Sequence, residues 1–294
     1  MKNFITSVFT LMTMSIAFAQ SNVDVTAQIG NMNTATVDQT GLMNMNTLTQ
    51  DGNLNTADID QIGAFNSNDA ESIGNRNSID VDQTGLGNSN EVSQQGNRNS
   101  ASTWQLGIGN STEQTQIGNR NDASSIQIGV DNTVTQSQDG RRNEAAALQI
   151  GSDNLAVQSQ DGRRNNASIT QLGDDNIAGQ AQIGRRNEAT VLQVGDDNIA
   201  LQYQNGNDNS ASHTQTGDGN LAVSVQVGDD NMATGLQVGD DNQLFQLQFG
   251  DGNSATDMQI GDDNYAWVSQ TGESHVHVGA QIGNGNSLTV VQSN

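Results

Sequence analysis

His275 and His277 stand two apart near the carboxy terminus, a spacing that puts two imidazoles on one face of a strand, where they could share a metal ion. Two ligands fall short of the three or four a zinc site takes. A degenerate terminal repeat is therefore the expected reading of that pair. His213 occupies an inward place by itself and reads as a core residue rather than a base. Ser72 replaces a glutamine in an otherwise regular series, and no histidine falls near it in the chain or in adjacent repeats. It reads as a local defect, not a nucleophile. The recurring "GDDN" segments, such as 195–198, offer carboxylates to Ca²⁺, yet they lack the nonapeptide spacing of calcium-binding β-rolls. Neither catalysis nor a cofactor is expected.

What must position these residues is a frame of 11. From Gln28, steps of 11 reach Gln39, Gln50, Gln61 and so on to Gln292, 25 places of which only Ser72 is not Gln. Two residues later the walk gives Gly30 to Gly283 without exception, and three further on Asn33 to Asn286, broken only by His275. Low-complexity disorder drifts in phase, whereas residues that must stack on one another cannot, so the constant register predicts a repeat architecture. Within a unit, Asn165, Ala167, Ile169 and Gln171 fall two apart, the alternation of a strand with one face inward. Glycine and asparagine between strands supply the backbone freedom of a tight arc.

A second period of 22 overlies the first. All nine arginines, at 76, 98, 120, 141, 142, 163, 164, 185 and 186, follow one alternate series of glycines, while Asp131, Asp153, Asp174, Asp175, Asp196 and Asp197 follow the other. Two arcs then make one turn and lie on opposite edges of it. The expected fold is all-β, a cross-β solenoid of about 12 rungs, each of two 11-residue strand-arc half-repeats, roughly 55–60 Å tall at strand spacing.

Composition agrees. The formal net charge is −23 and Lys2 is the only lysine, which argues against nucleic acid as a partner. Without cysteine, no disulfide or thiolate metal site holds the chain together. Without proline, almost every N–H remains free for a ladder. Residues 1–19 read as a cleaved signal peptide, with Lys2, a short apolar run and Ala17-Phe18-Ala19 at its end. Residues 20–27 read as a short lead and 28–294 as the solenoid. No transmembrane segment is expected in the mature chain.

The offsets of Gln, Gly, Asn, Ala and Gln in "QIGNRNDASSIQ" (116–127) resemble the curlin repeat of curli-type functional amyloid fibres. The resemblance spans residues 28–292. It implies a strand-arc-strand rung, a secreted subunit of an extracellular fibre (fimbria or pilus) at the bacterial surface, and a role in biofilm matrix and adhesion. It also implies partners: copies of itself, a nucleator subunit and a dedicated outer-membrane secretion channel. The family's major subunit has fewer repeats and a separate amino-terminal export segment.

In such a stack each inward amide sits over its like, 22 residues on, and can hydrogen-bond along the axis. The expected ladder comprises Gln28, Gln39, Gln50, Gln61, Gln83, Gln105, Gln127, Gln149, Gln171, Gln193, Gln215, Gln237, Gln259 and Gln281, with Asn33, Asn55, Asn77, Asn99, Asn121, Asn143, Asn165 and Asn187 in the arcs. Gln114, Gln136, Gln158, Gln180, Gln202 and Gln246 form a second series. Uncapped ends would add strands from the next molecule, and stacked Asp arcs would slow that addition as gatekeepers. Outward places on alternate strands carry Ile199, Leu201, Tyr203, Leu221, Val223, Phe245, Leu247, Tyr265 and Trp267, an apolar stripe expected to mediate lateral contact, while the opposite face reads as mostly Ser, Thr and acid. A monomeric surface- or ice-binding solenoid is the alternative, but outward Thr34, Thr36, Thr47 and Thr56 do not continue as an array. A polysaccharide-cleaving β-helix would need loop insertions, and none interrupts the frame.

Overall fold

The computed structural model describes residues 21–294; the segment 1–19 expected to be a signal peptide lies outside them. Each half-repeat is a strand whose inward places hold Ala, Val, Ile, Asn or Gln and whose outward places are mixed, so one face is buried while the other meets solvent. Among the described residues twenty-five strands follow one another without a helix, from β1 (Val23–Asn31) and β2 (Thr34–Leu42) to β24 (Val276–Ile282) and β25 (Ser287–Ser293). Odd strands form one parallel sheet of 13, and even strands a second of 12. Every pairing joins residues 22 apart, as in Gln127 with Gln149 and Gly129 with Gly151. The molecule is a β-solenoid of about 12 turns.

The solenoid begins earlier than the frame of glutamines indicated. β1 takes in residues 23–27 of the expected lead, because Asp24 pairs with Asn46 and Thr26 with Leu48, two places buried in the next rung.

The arcs turn on two consecutive features. The invariant glycines have φ between 108° and 140°, and two residues on comes a left-handed residue with φ near +57°, such as Leu54, Phe65, Arg76 or Asp197. A Cβ on any mid-stack arc glycine would overlap the carbonyl oxygen of the glycine one rung above, as Gly162 shows against Gly184. No side chain can occupy that place in a stacked array.

The core changes along the axis. Near the amino-terminal end Leu48, Ile59, Ile79, Val81 and Val92 fill it; further on Val134, Ala147, Ile169 and Val191 share it with small alanines and glutamines. Strands shorten from nine to seven residues where the arc reads Gly-Asp-Asp, as in Asn166–Leu172 and Glu188–Val194. There a carboxylate, not a strand carbonyl, receives the amide that follows the glycine. Asp174 N–H donates to Asp196 Oδ1 at 2.8 Å.

Candidate functional site

The chemistry of this solenoid lies in its amide columns and in its two ends. Inward Gln171 illustrates the first. Its Oε1 accepts from Gln149 Nε2 at 2.8 Å, and its own Nε2 donates to Gln193 Oε1 at 2.9 Å and to the Leu155 carbonyl at 3.1 Å. The last bond crosses the core, so each glutamine ties its rung to the next and one sheet to the other. All donors point toward the carboxy-terminal end. The column running through Gln39, Gln61, Gln83, Gln105, Gln127, Gln193, Gln215, Gln237, Gln259 and Gln281 repeats this geometry. In the other sheet Gln28 donates to Gln50 at 2.7 Å, but Ser72 then breaks the column. Its Oγ and the Gln94 Oε1 above it are both buried without a partner.

The arc asparagines do different work. Asn165 Oδ1 accepts the backbone N–H of Asn187 at 3.1 Å, and its Nδ2 donates to the carbonyls of Asp161 and Gly184. Asn33, Asn55, Asn77, Asn99, Asn121, Asn143 and Asn187 hold their arcs in the same way. The glutamine series Gln114, Gln136, Gln158, Gln180 and Gln202 is continuous at 2.8–3.0 Å; Ser224 interrupts it, and its Oγ donates to Gln246 Oε1.

Further columns were not read from the sequence. Asn46, Asn68 and Asn90 stack inward above Asp24, with Asn46 Nδ2 on Asp24 Oδ1 at 2.7 Å and Asn68 Nδ2 on Asn46 Oδ1 at 2.7 Å. Asn31, Asn53, Asn75, Asn97 and Asn119 form an exposed one at 2.9–3.2 Å. The signal was present as Asn at a fixed offset of 22, hidden because each column covers only part of the chain. The Asp arcs are also more than solvated carboxylates: Asp174, Asp196, Asp218 and Asp240 each accept the amide one rung below. Each such charge-assisted bond ties one Asp arc to the rung below it and offsets part of the repulsion of Asp stacked on Asp.

Charge elsewhere is less compensated. Burial, followed by repulsion from Asp58, Asp38 and Asp80, pushes the Asp60 carboxyl above its ordinary range; burial, then Asp80, Asp60 and Asp58, does the same to Asp82. Asp122 is raised by burial. Neighbouring Arg141, ahead of Arg120, Arg164 and Arg163, lowers Arg142. Arg186 meets Asp208 at 2.6 Å, and that hydrogen bond draws Asp208 down.

His213 is not alone. Its Nε2 lies 2.6 Å from Ser224 Oγ, while Nδ1 has no partner. A serine and an imidazole in contact could form a nucleophile and base, but both are sealed between the sheets. Burial lowers the His213 pKa to about 4, so the fold holds it neutral. An unfolded chain takes up a proton at its ordinary 6.5 and the folded one does not. Stability therefore falls as pH drops from 6.5 to 4, by about 3 kcal/mol in total. The raised carboxyls have the opposite sign, so the measurement is the difference in urea midpoints between the parent and His213→Gln at pH 4.5 and 7. An equal gap at both pH values would refute the assignment.

His275 and His277 do not converge. His275 occupies the arc place of an asparagine, its Nε2 3.1 Å from the Thr271 carbonyl. His277 points inward, where Nε2 meets Asp257 Oδ1 at 2.8 Å, and the other oxygen of Asp257 accepts from Gln246 Nε2. Among the described residues no three His, Cys, Asp or Glu side chains are grouped to hold a metal, and no helix is long and apolar enough to cross a membrane.

Ile199, Leu201, Tyr203, Leu221, Val223, Phe245, Leu247, Tyr265 and Trp267 all face outward on the 13-stranded sheet, mostly half-buried against neighbours in the stack. Phe245 packs on Trp267 and Tyr265 with ring centroids 5.5 and 6.0 Å apart. Small Gly179 and Ala181 leave a shallow groove of about 390 Å³ between Val157 and Tyr203. The opposite face is less polar than its sequence indicated. Leu148, Leu192, Leu236 and Met258 stand outward there, half-buried, at a late place in their strands, and Met232 is exposed at the start of one, among outward Ser, Thr and acid.

At the ends, β1 and β2 on one side and β24 and β25 on the other have a strand neighbour on one side only, among the described residues. Residues 129–157 and 206–234 match the curlin associated repeat family. No curated protein matches the sequence.

Proposed function

From a chain that carries curlin associated repeats, we propose a secreted structural subunit of an extracellular curli-like fibre at the bacterial surface, polymerising by end-on addition of strands and serving biofilm matrix and adhesion. The observation that carries this reading is the pair of sheet edges left open among the described residues, whose inward amides already have the axial register of a cross-β stack. A second copy supplies backbone partners and continues both glutamine columns, so association needs no refolding of the rungs behind the edge. The fibre end acts as the template. Copies of this chain are the principal partner. A nucleator subunit and an outer-membrane secretion channel belong to the reading through the family resemblance, and the apolar stripe from Ile199 to Trp267 is its lateral contact surface.

Purified residues 20–294, incubated alone, are expected to form dye-binding fibres with diffraction at about 4.8 Å along the axis and about 10 Å across it. Monomers that persist for days would instead favour a solenoid that works singly on a surface.

A further inference from the structure

We infer that successive copies in the fibre are related by a half-turn about its axis, so that β1 of each new copy stacks on β24 of the last and β2 on β25. The inference rests on the end-on assembly proposed above. Its geometric root is the count of strands among the described residues: 13 in one sheet and 12 in the other. Each half-repeat is related to the next by half a turn and half a rung, so 25 of them bring the array out of phase with its own start by half a turn. A copy added without rotation would put β1 on β25 and leave the other sheet one strand short, with buried N–H and C=O groups unpaired across the gap. After a half-turn both sheets continue, strand directions match, and the rise per copy is 12.5 rungs, roughly 60 Å.

The side chains at the two ends choose the same arrangement. With rotation, Gln28 falls over Gln281, Gln39 over Gln292 and Gly30 over Gly283, the frame kept throughout the molecule. Half-buried Leu288 and Val290 of the last strand then meet Ala35 and Val37 of the second, which pack against the amino-terminal apolar core. Asp24 falls over His277, whose side chain is 11% exposed and bonded on its other side to Asp257. The imidazole would lie between two carboxylates. Without rotation, Asp24 would sit on Leu288 and Thr26 on Val290, burying a carboxylate against a leucine. Thus the two acids at opposite ends of the array, Asp24 and Asp257, and the histidine between them make a polar key that fits one orientation.

The chain has no cysteine, so a pair can be introduced cleanly on outward places. Under the half-turn, Ala27 of one copy stacks on Ala280 of the next; without it, Ala27 stacks on Val291. Stacked neighbours lie within disulfide reach, and both pairs are too far apart within one chain to close. Fibres of Ala27→Cys/Ala280→Cys, treated with a mild oxidant, are expected to run on denaturing gels as a ladder of covalent multimers, at least tenfold more cross-linked than fibres of Ala27→Cys/Val291→Cys. The reverse ranking, or equal cross-linking of both, overturns the half-turn while leaving end-on assembly standing. Helical reconstruction of unsubstituted fibres gives an independent reading: rotation per subunit near 180° after subtracting the rung-to-rung twist, with a value near zero overturning it. A chain that forms no fibres overturns the assembly reading itself, and the half-turn with it.

Discussion

Gly162→Ala is expected to destabilise the central rungs by about 3–5 kcal/mol, among the largest effects a single methyl group can have. Two causes act together. The glycine sits at φ +128, a conformation L side chains rarely adopt, and the new Cβ would overlap the Gly184 carbonyl oxygen. That neighbour is backbone held by its own rung, so it cannot swing aside as a side chain would. Gly87→Ala is the control. Its φ is +68 and nothing lies within 4 Å of the added Cβ, so only the left-handed cost of about 1 kcal/mol applies. Urea denaturation of freshly prepared monomer, with hydrogen exchange to localise the loss, separates the two. Equal effects at both sites would mean that vertical contact between arcs does not set the glycine requirement. Because stability in a stacked array is a sum of rung and interface contributions, exchange around residues 140–185 should rise before exchange at the ends does.

Gln171→Leu should cost about 3 kcal/mol although volume is nearly preserved. It orphans the Gln193 oxygen above, strips Gln149 Nε2 below of one of its two acceptors while the Thr133 carbonyl keeps the other, and removes the bond to the Leu155 carbonyl, each loss of a buried partner carrying a penalty of about 1–3 kcal/mol. Changing Gln149, Gln171 and Gln193 together to Leu should cost less than three times the single value, since only the outer members of the column then face unpaired amides. Strictly additive losses would show that the column is a row of independent hydrogen bonds. The natural break at Ser72 is the internal precedent, for it leaves Gln94 Oε1 without a partner.

Much of this was legible in the chain itself. An 11-residue frame with no insertion determined the strands, the arcs, the inward and outward places, and the 22-residue pairing of Gln with Gln, because in a parallel stack sequence offset and vertical neighbour are the same quantity. Tertiary structure decided everything that depends on direction, on reach or on the opposite sheet. It gave the glutamine columns their common polarity and sent their Nε2 atoms across the core, to a carbonyl 16 residues earlier in the columns at the 11-residue frame and 12 earlier in the second series. It turned Asp arcs into amide acceptors, placed Ser224 against His213, 11 residues away in the facing strand, and separated His275 from His277 by giving one to an arc and the other to the core. A repeat states which residues lie above one another. Which atoms meet across the narrow interior depends on side-chain length and on the half-rung offset between the two sheets, and neither is written in the spacing.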